Sequence, residues 1–143
     1  MSETIVVGFD DSDGSRAALD HAVGFARRAG YSITVVFCYE PPAVRAGGAV
    51  DQKERLEQLG RELLESAQRQ VAGSDVTVNG ELVDGRPVDG LIAAADEHDA
   101  AMIVVGHHGE GPLRGALLGA TANKLLHLAE RPVLVVPAPE GSD

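Results

Sequence analysis

Residues 104–124, VVGHHGEGPLRGALLGATANK, place five glycines directly after a short apolar run. Glycine takes positive φ without steric penalty and lets other groups come close to the backbone. Two roles suit such a segment. One is a slack surface loop. The other is an anion cradle, its glycines clearing room for phosphate ahead of a helix that starts near Ala120 and Thr121. The first amides of a helix have no intrahelical partner and lie at the positive end of its dipole, so they bind phosphate readily. Glycine alone does not decide between the two. Asp10, in the stretch GFDDSDGS, is the second candidate for chemistry. A carboxylate there can accept a ribose hydroxyl or a base donor; its structural alternative is a turn former or helix cap.

Other chemistry finds less support. His107 and His108 are adjacent, so they point differently, and no cysteine or carboxylate completes a metal set. A magnesium ion carried on nucleotide phosphates is the more natural metal. Arg114 could reach a phosphate or simply be solvated, and His127 reads as a surface or interface residue. Cys38, beside Tyr39, has no histidine near it in sequence and reads as a packed thiol at a strand end. There is no GxSxG elbow and no GxxxxGK[ST] phosphate loop. Asp10, Asp11 and Asp13 could hold a metal for phosphoryl transfer, but no lysine or general base is placed to assist. The chain therefore reads as a binder rather than an enzyme, with metal-assisted phosphoryl transfer as the catalytic alternative.

These residues need elements to position them. The chain has 143 residues, 44% hydrophobic and 24% charged, which suits one globular domain over residues 1–143 with a sizeable core. Its net charge is −10 and its cations are scattered, so no basic patch invites nucleic acid or an anionic membrane surface. Aromatics, at 3%, are too few for base-stacking platforms. No apolar run reaches the roughly 18–20 residues of a membrane span. The start, MSETIVVGFD, lacks the basic region of a signal peptide, and one cysteine allows no internal disulfide. A cytoplasmic location is the expectation.

Four Val/Ile-rich runs, 4–9, 32–39, 101–106 and 132–137, read as strands buried on both faces, the mark of a parallel sheet. A fifth, 75–83, weakens at Asn79-Gly80 and reads as an edge strand. Helical patterns lie between them. The first is expected to be capped by Ser15 and to stop at Gly30, with Leu19, Val23 and Ala26 facing inward. The second, 51–73, places Leu56, Leu59, Leu63, Ala67 and Val71 on one face. The third has Pro87 in its first turn and Leu91, Ile92 and Ala95 inward; the fourth, ATANKLLHLAE, ends before Arg131-Pro132. Strict β-α alternation predicts a doubly wound α/β sheet, whose ligands bind beyond the carboxyl ends of the strands. The long connection at 40–51 is a variable surface loop or a lid.

GFDDSDGSRAAL after the first strand, then GHHG, nine residues and GATANKLLHLAERPVLVVP, resembles the universal stress protein family over residues 4–137. Nucleotide-binding members carry Gly, two residues, Gly, nine residues, Gly, then Ser or Thr. Here Gly106, Gly109 and Gly119 keep the spacing, and Ala120 stands where the hydroxyl would be. The resemblance implies an adenine nucleotide alpha hydrolase-like fold: a five-stranded parallel sheet in the order 3-2-1-4-5 with helices on both faces. It implies an ATP site in which Asp10, above Gly8, contacts adenine or ribose and Cys38 offers backbone to adenine. Val105 and Gly106 flank ribose, and Gly109, Gly119, Ala120 and Thr121 surround the phosphates. It also implies a homodimer through the terminal strand at 132–137. The expected function is an ATP-binding sensor or switch in stress response; the alternative is a nucleotide-free dimeric adaptor acting through protein contacts, with a slow ATP-hydrolysing enzyme ranked behind both.

Overall fold

The structure is a computed structural model that describes residues 3–39, 49–107 and 120–137. Nine elements alternate along these residues: β1 (Thr4–Gly8), α1 (Asp13–Ala29), β2 (Ser32–Tyr39), α2 (Ala49–Gln70), β3 (Val78–Asp84), α3 (Pro87–His98), β4 (Met102–Gly106), α4 (Ala120–Leu128) and β5 (Val133–Val136). The strands form one sheet in the order β3-β2-β1-β4-β5, and every pairing is parallel. β3 lies at an edge, as its weaker apolar pattern predicts.

Alternation along the central strands divides the core. Ile5, Val7 and Phe9 face α1 and α2, together with Leu19, Ala22, Leu64 and Ala67. Val6 faces the other way, into a layer with Leu91, Ala95, Ile103, Ala122 and Leu125 from α3, β4 and α4. Because both faces are covered, Ile5, Val6, Val7 and Val104 lose all contact with solvent. Each such side chain contributes about 1.5–3 kcal/mol of burial, which is why these runs need no polar alternation.

Helix ends follow local chemistry with one correction. Gly30 closes α1 at φ 79°, and Pro87 opens α3 as its first residue. The cap of α1, however, is Ser12 and not Ser15. Ser12 has extended backbone and its Oγ accepts the Ser15 N–H at 3.2 Å; Ser15 lies inside the first turn, where its own Oγ donates to the Ser12 carbonyl at 3.0 Å. Two serines three apart can each read as a cap, and the turn out of β1 selects the earlier one.

α2 shows a second correction. Leu59 is 45% exposed and Leu64 is buried in its place. The inward stripe is Gly60, Leu64, Ala67 and Val71, and it begins at a close approach of the helix to the sheet. A Cβ on Gly60 would lie 2.5 Å from Leu82 Cδ2 and 2.8 Å from Phe37 Cδ2. Leu59 sits about 100° away from Gly60 on the helix wheel and falls outside that contact.

Candidate functional site

Placing β1 next to β4 makes a crevice at their carboxyl ends, because α1 leaves the sheet toward one face and α3 covers the other. Two glycines let the walls close in. A Cβ on Gly8 would come within 3.2 Å of Leu91 Cδ1 and 3.3 Å of Val105 Cγ1. One on Gly106 would come 2.7 Å from the Gly14 carbonyl carbon in the first turn of α1. No other residue allows that approach of β4 to helix backbone.

The result is an open cleft of about 600 Å³, including the solvent at its mouth. Six expected site residues line it: Gly8, Asp10, Cys38, Val105, Gly106 and Thr121. Ala120, the first residue of α4, is exposed and is not part of the lining. Gly109 and Gly119 lie outside the described residues, as do His108, Arg114 and residues 40–48 of the long connection. His127 is exposed on α4.

Several lining residues escape a reading of sequence alone. Val36, Pro87 and Leu91 add to the apolar wall, while Ser12 and Ser15 bring hydroxyl groups to the polar side. Both serines are 5% exposed. The sequence signal for them is weak, since DDSDGS reads first as a turn and cap. For Leu91 and Pro87 there is none, because only the packing of α3 over β1 and β2 carries them to the crevice.

The turn out of β1 is tightly specified. One carboxylate oxygen of Asp10, Oδ1, accepts the Ser12 N–H at 3.0 Å, while the Asp10 N–H donates to Ser15 Oγ at 3.3 Å. Asp10 thus forms the turn, as one of its two readings has it, and is an exposed carboxylate on the cleft. Asp11 occupies the left-handed region at φ 66°. Its Oδ1 accepts from Arg16 Nε at 2.8 Å and pairs with Arg16 Nη2 at 2.6 Å. Among the described residues no three His, Cys, Asp or Glu side chains gather as a metal site, Asp10, Asp11 and Asp13 included.

Cys38 sits at the end of β2 with its Sγ donating weakly to the Pro87 carbonyl at 3.8 Å. Burial pushes its thiol up to about 11. At neutral pH it is a neutral packing group, as its surroundings in sequence suggest.

An apolar wall faced by a carboxylate and three hydroxyls suits a flat heterocycle bearing a polar sugar. A family model described as the universal stress protein family matches residues 1–137.

The chain belongs to the universal stress protein family.

Universal stress protein MJ0531 of Methanocaldococcus jannaschii is 31% identical over 144 residues, covering 98% of this chain and 85% of the relative. Among solved structures, MJ0577 shares the fold with a TM-score of 0.86 at 20% identity, covering 99% of both chains. A universal stress protein crystallised in complex with cAMP is 29% identical with a TM-score of 0.76, covering 96% of this chain and 98% of that one. The universal stress protein of Archaeoglobus fulgidus in complex with dAMP has a TM-score of 0.69 at 22% identity, covering 94% and 97%. The doubly wound sheet and its order are therefore those of universal stress proteins. No helix among the described residues is long and apolar enough to cross a membrane.

Proposed function

We propose that the cleft binds an adenine nucleotide, ATP in the cell, and that the protein acts as a nucleotide-dependent sensor or switch in stress response. The observation that carries this is the meeting of Asp10, Gly106 and Thr121 around one cleft with an apolar wall. The cAMP and dAMP complexes of similar universal stress proteins support an adenine nucleotide as the occupant. Asp10 and backbone beside Cys38 serve the adenosine end. Gly109, Gly119 and the first amides of α4 serve the phosphates, with magnesium carried on the phosphates. Residues 1–143 act as one domain, with the cytoplasm as the place of work.

Ala120 weakens this site without abolishing it. A lost hydrogen bond to a charged phosphate costs about 1.5–3 kcal/mol, or roughly 10–150-fold in affinity. Thr121, one position later, lines the cleft and offers it a hydroxyl. The test is to heat purified protein, identify any released nucleotide by absorbance and mass, and titrate emptied protein with ATP. Asp10→Ala should weaken binding by an amount in the same 10–150-fold range. A protein that is empty and ignores millimolar ATP refutes the proposal and leaves the nucleotide-free adaptor.

β5 supports a homodimer. Among the described residues it ends the sheet with an edge that no strand pairs, and Leu134 on it is 39% exposed. Sedimentation should give twice the monomer mass, and Leu134→Glu should shift it toward monomer. Phosphate release that disappears in Asp10→Ala would add slow hydrolysis to the function.

A further inference from the structure

The chain carries a polar link from α2 into the turn that presents Asp10, made by residues that do not line the cleft. Ser66, in the middle of α2, donates its hydroxyl to Asp11 Oδ1 at 3.3 Å. The same oxygen receives Arg16 Nε and Nη2 from α1. Asp11 lies between Asp10 and Ser12 with a left-handed φ of 66°, inside the turn in which Asp10 Oδ1 accepts the Ser12 N–H. Aspartate tolerates that conformation better than most residues but does not favour it. Three donors from two helices converge on one oxygen and hold it there. A second contact keeps α2 in register: Gln70 Nε2 donates to the Arg16 carbonyl at 3.0 Å and to Asp20 Oδ1 at 2.7 Å.

We infer that Asp11 is a positioning residue for the nucleotide site, held by Arg16 and Ser66 so that the placement of α2 regulates how well Asp10 binds ligand. This rests on the nucleotide reading above. Asp11 does not line the cleft, and neither does Ser66. By reciprocity, nucleotide that fixes Asp10 steadies α2 around Ser66.

The charge of Asp11 makes the test decisive. Removing a carboxylate beside an anionic ligand should tighten binding if charge is its only role. Positioning predicts the opposite for variants that lose the anchor. Asp11→Asn keeps an Oδ1 acceptor and tolerates positive φ, so it should bind ATP at least as well as the parent. Asp11→Gly keeps the φ but loses the anchor, and should bind about three- to tenfold more weakly, the range one hydrogen bond transmits. Ser66→Ala, which changes no charge, should weaken ATP in the same direction. Its effect should largely vanish in the Asp11→Gly background.

Affinity is measured by calorimetry with ATP and with uncharged adenosine, and amide hydrogen exchange at Ser12 and Ser15 is followed without nucleotide. Faster exchange at both amides in Asp11→Gly and Ser66→Ala, restored in Asp11→Asn, supports the link whether or not ATP binds. A parent protein that binds no nucleotide overturns the site reading and leaves the exchange result to decide the link. Asp11→Gly and Ser66→Ala with parental exchange and parental or tighter affinity overturn it.

Discussion

Gly106→Ala probes the closest backbone approach around the cleft. A methyl group there would lie 2.7, 2.9 and 3.0 Å from the carbonyl carbon, oxygen and Cα of Gly14. None of these is a side-chain end that can swing away. They belong to the first turn of α1, which Ser12 caps and which holds Asp10 through Ser15. The methyl must push β4 and α1 apart by several tenths of an ångström, and overpacking of this kind costs about 1–3 kcal/mol. For a chain of 143 residues that corresponds to a fall in Tm of roughly 3–12 °C. Gly24→Ala is the internal control. Gly24 lies within α1 with nothing within 4 Å of its added Cβ, so alanine should raise stability by about 0.5–1 kcal/mol. Urea unfolding of the two variants should therefore move the midpoint in opposite directions at unchanged m-value. ATP affinity should fall in Gly106→Ala alone. A Gly106→Ala protein as stable as its parent, with unchanged nucleotide affinity, refutes the steric reasoning.

Three further outcomes follow from other contacts. Burial raises the Cys38 thiol from 9.0 to about 11; the folded state holds that proton more tightly than the unfolded chain. Its contribution to stability is complete below about pH 9 and is lost as pH rises toward about 11, and alkylation by iodoacetamide should keep accelerating through that window. Arg131 Nη1 donates to the Ala100 carbonyl at 2.7 Å, and Nη2 to Asp96 at 3.1 Å, tying the entry of β5 to the end of α3. Arg131→Met should cost about 1–2 kcal/mol by urea unfolding, with most of it from the unpaired carbonyl rather than the exposed carboxylates, and lysine should rescue little because it lacks the planar fork. His98 Nε2 lies 2.6 Å from Glu81 Oε2, joining α3 to the edge strand β3. A double-mutant cycle on the half-buried pair should return a coupling of about 0.5–1.5 kcal/mol.

Local patterns carried much of this protein into view. Near-continuous valine and isoleucine at 4–9, 32–39 and 101–106 can only be satisfied between two covered faces, so the runs announce buried parallel strands before any strand partner is known. Gly30 and Pro87 mark a helix end and a helix start because their backbone limits act within a residue or two of themselves. Asp10 and Gly106 stood out because they lie at or just beyond the carboxyl ends of strands, where ligands of α/β sheets bind. The family resemblance supplied the strand order 3-2-1-4-5, and the sheet has that order.

Tertiary structure decided what depends on groups far apart in the chain. Both Ser12 and Ser15 can cap a helix, and the bond from the Asp10 N–H to Ser15 Oγ, made as the chain turns out of β1, leaves the cap to Ser12. Leu59 and Leu64 are equally apolar, and the contact of Gly60 with Phe37 and Leu82 selects Leu64 for the core. Leu91 reaches the cleft only because α3 packs across Gly8. Ser66 reaches Asp11 across 55 residues of chain. The sequence by itself thus determined which segments must be buried and where backbone must bend, since those follow from each residue's own chemistry. Which side chains meet at the cleft was decided by strand order and helix packing, whose free energy belongs to pairs of residues and not to any one of them.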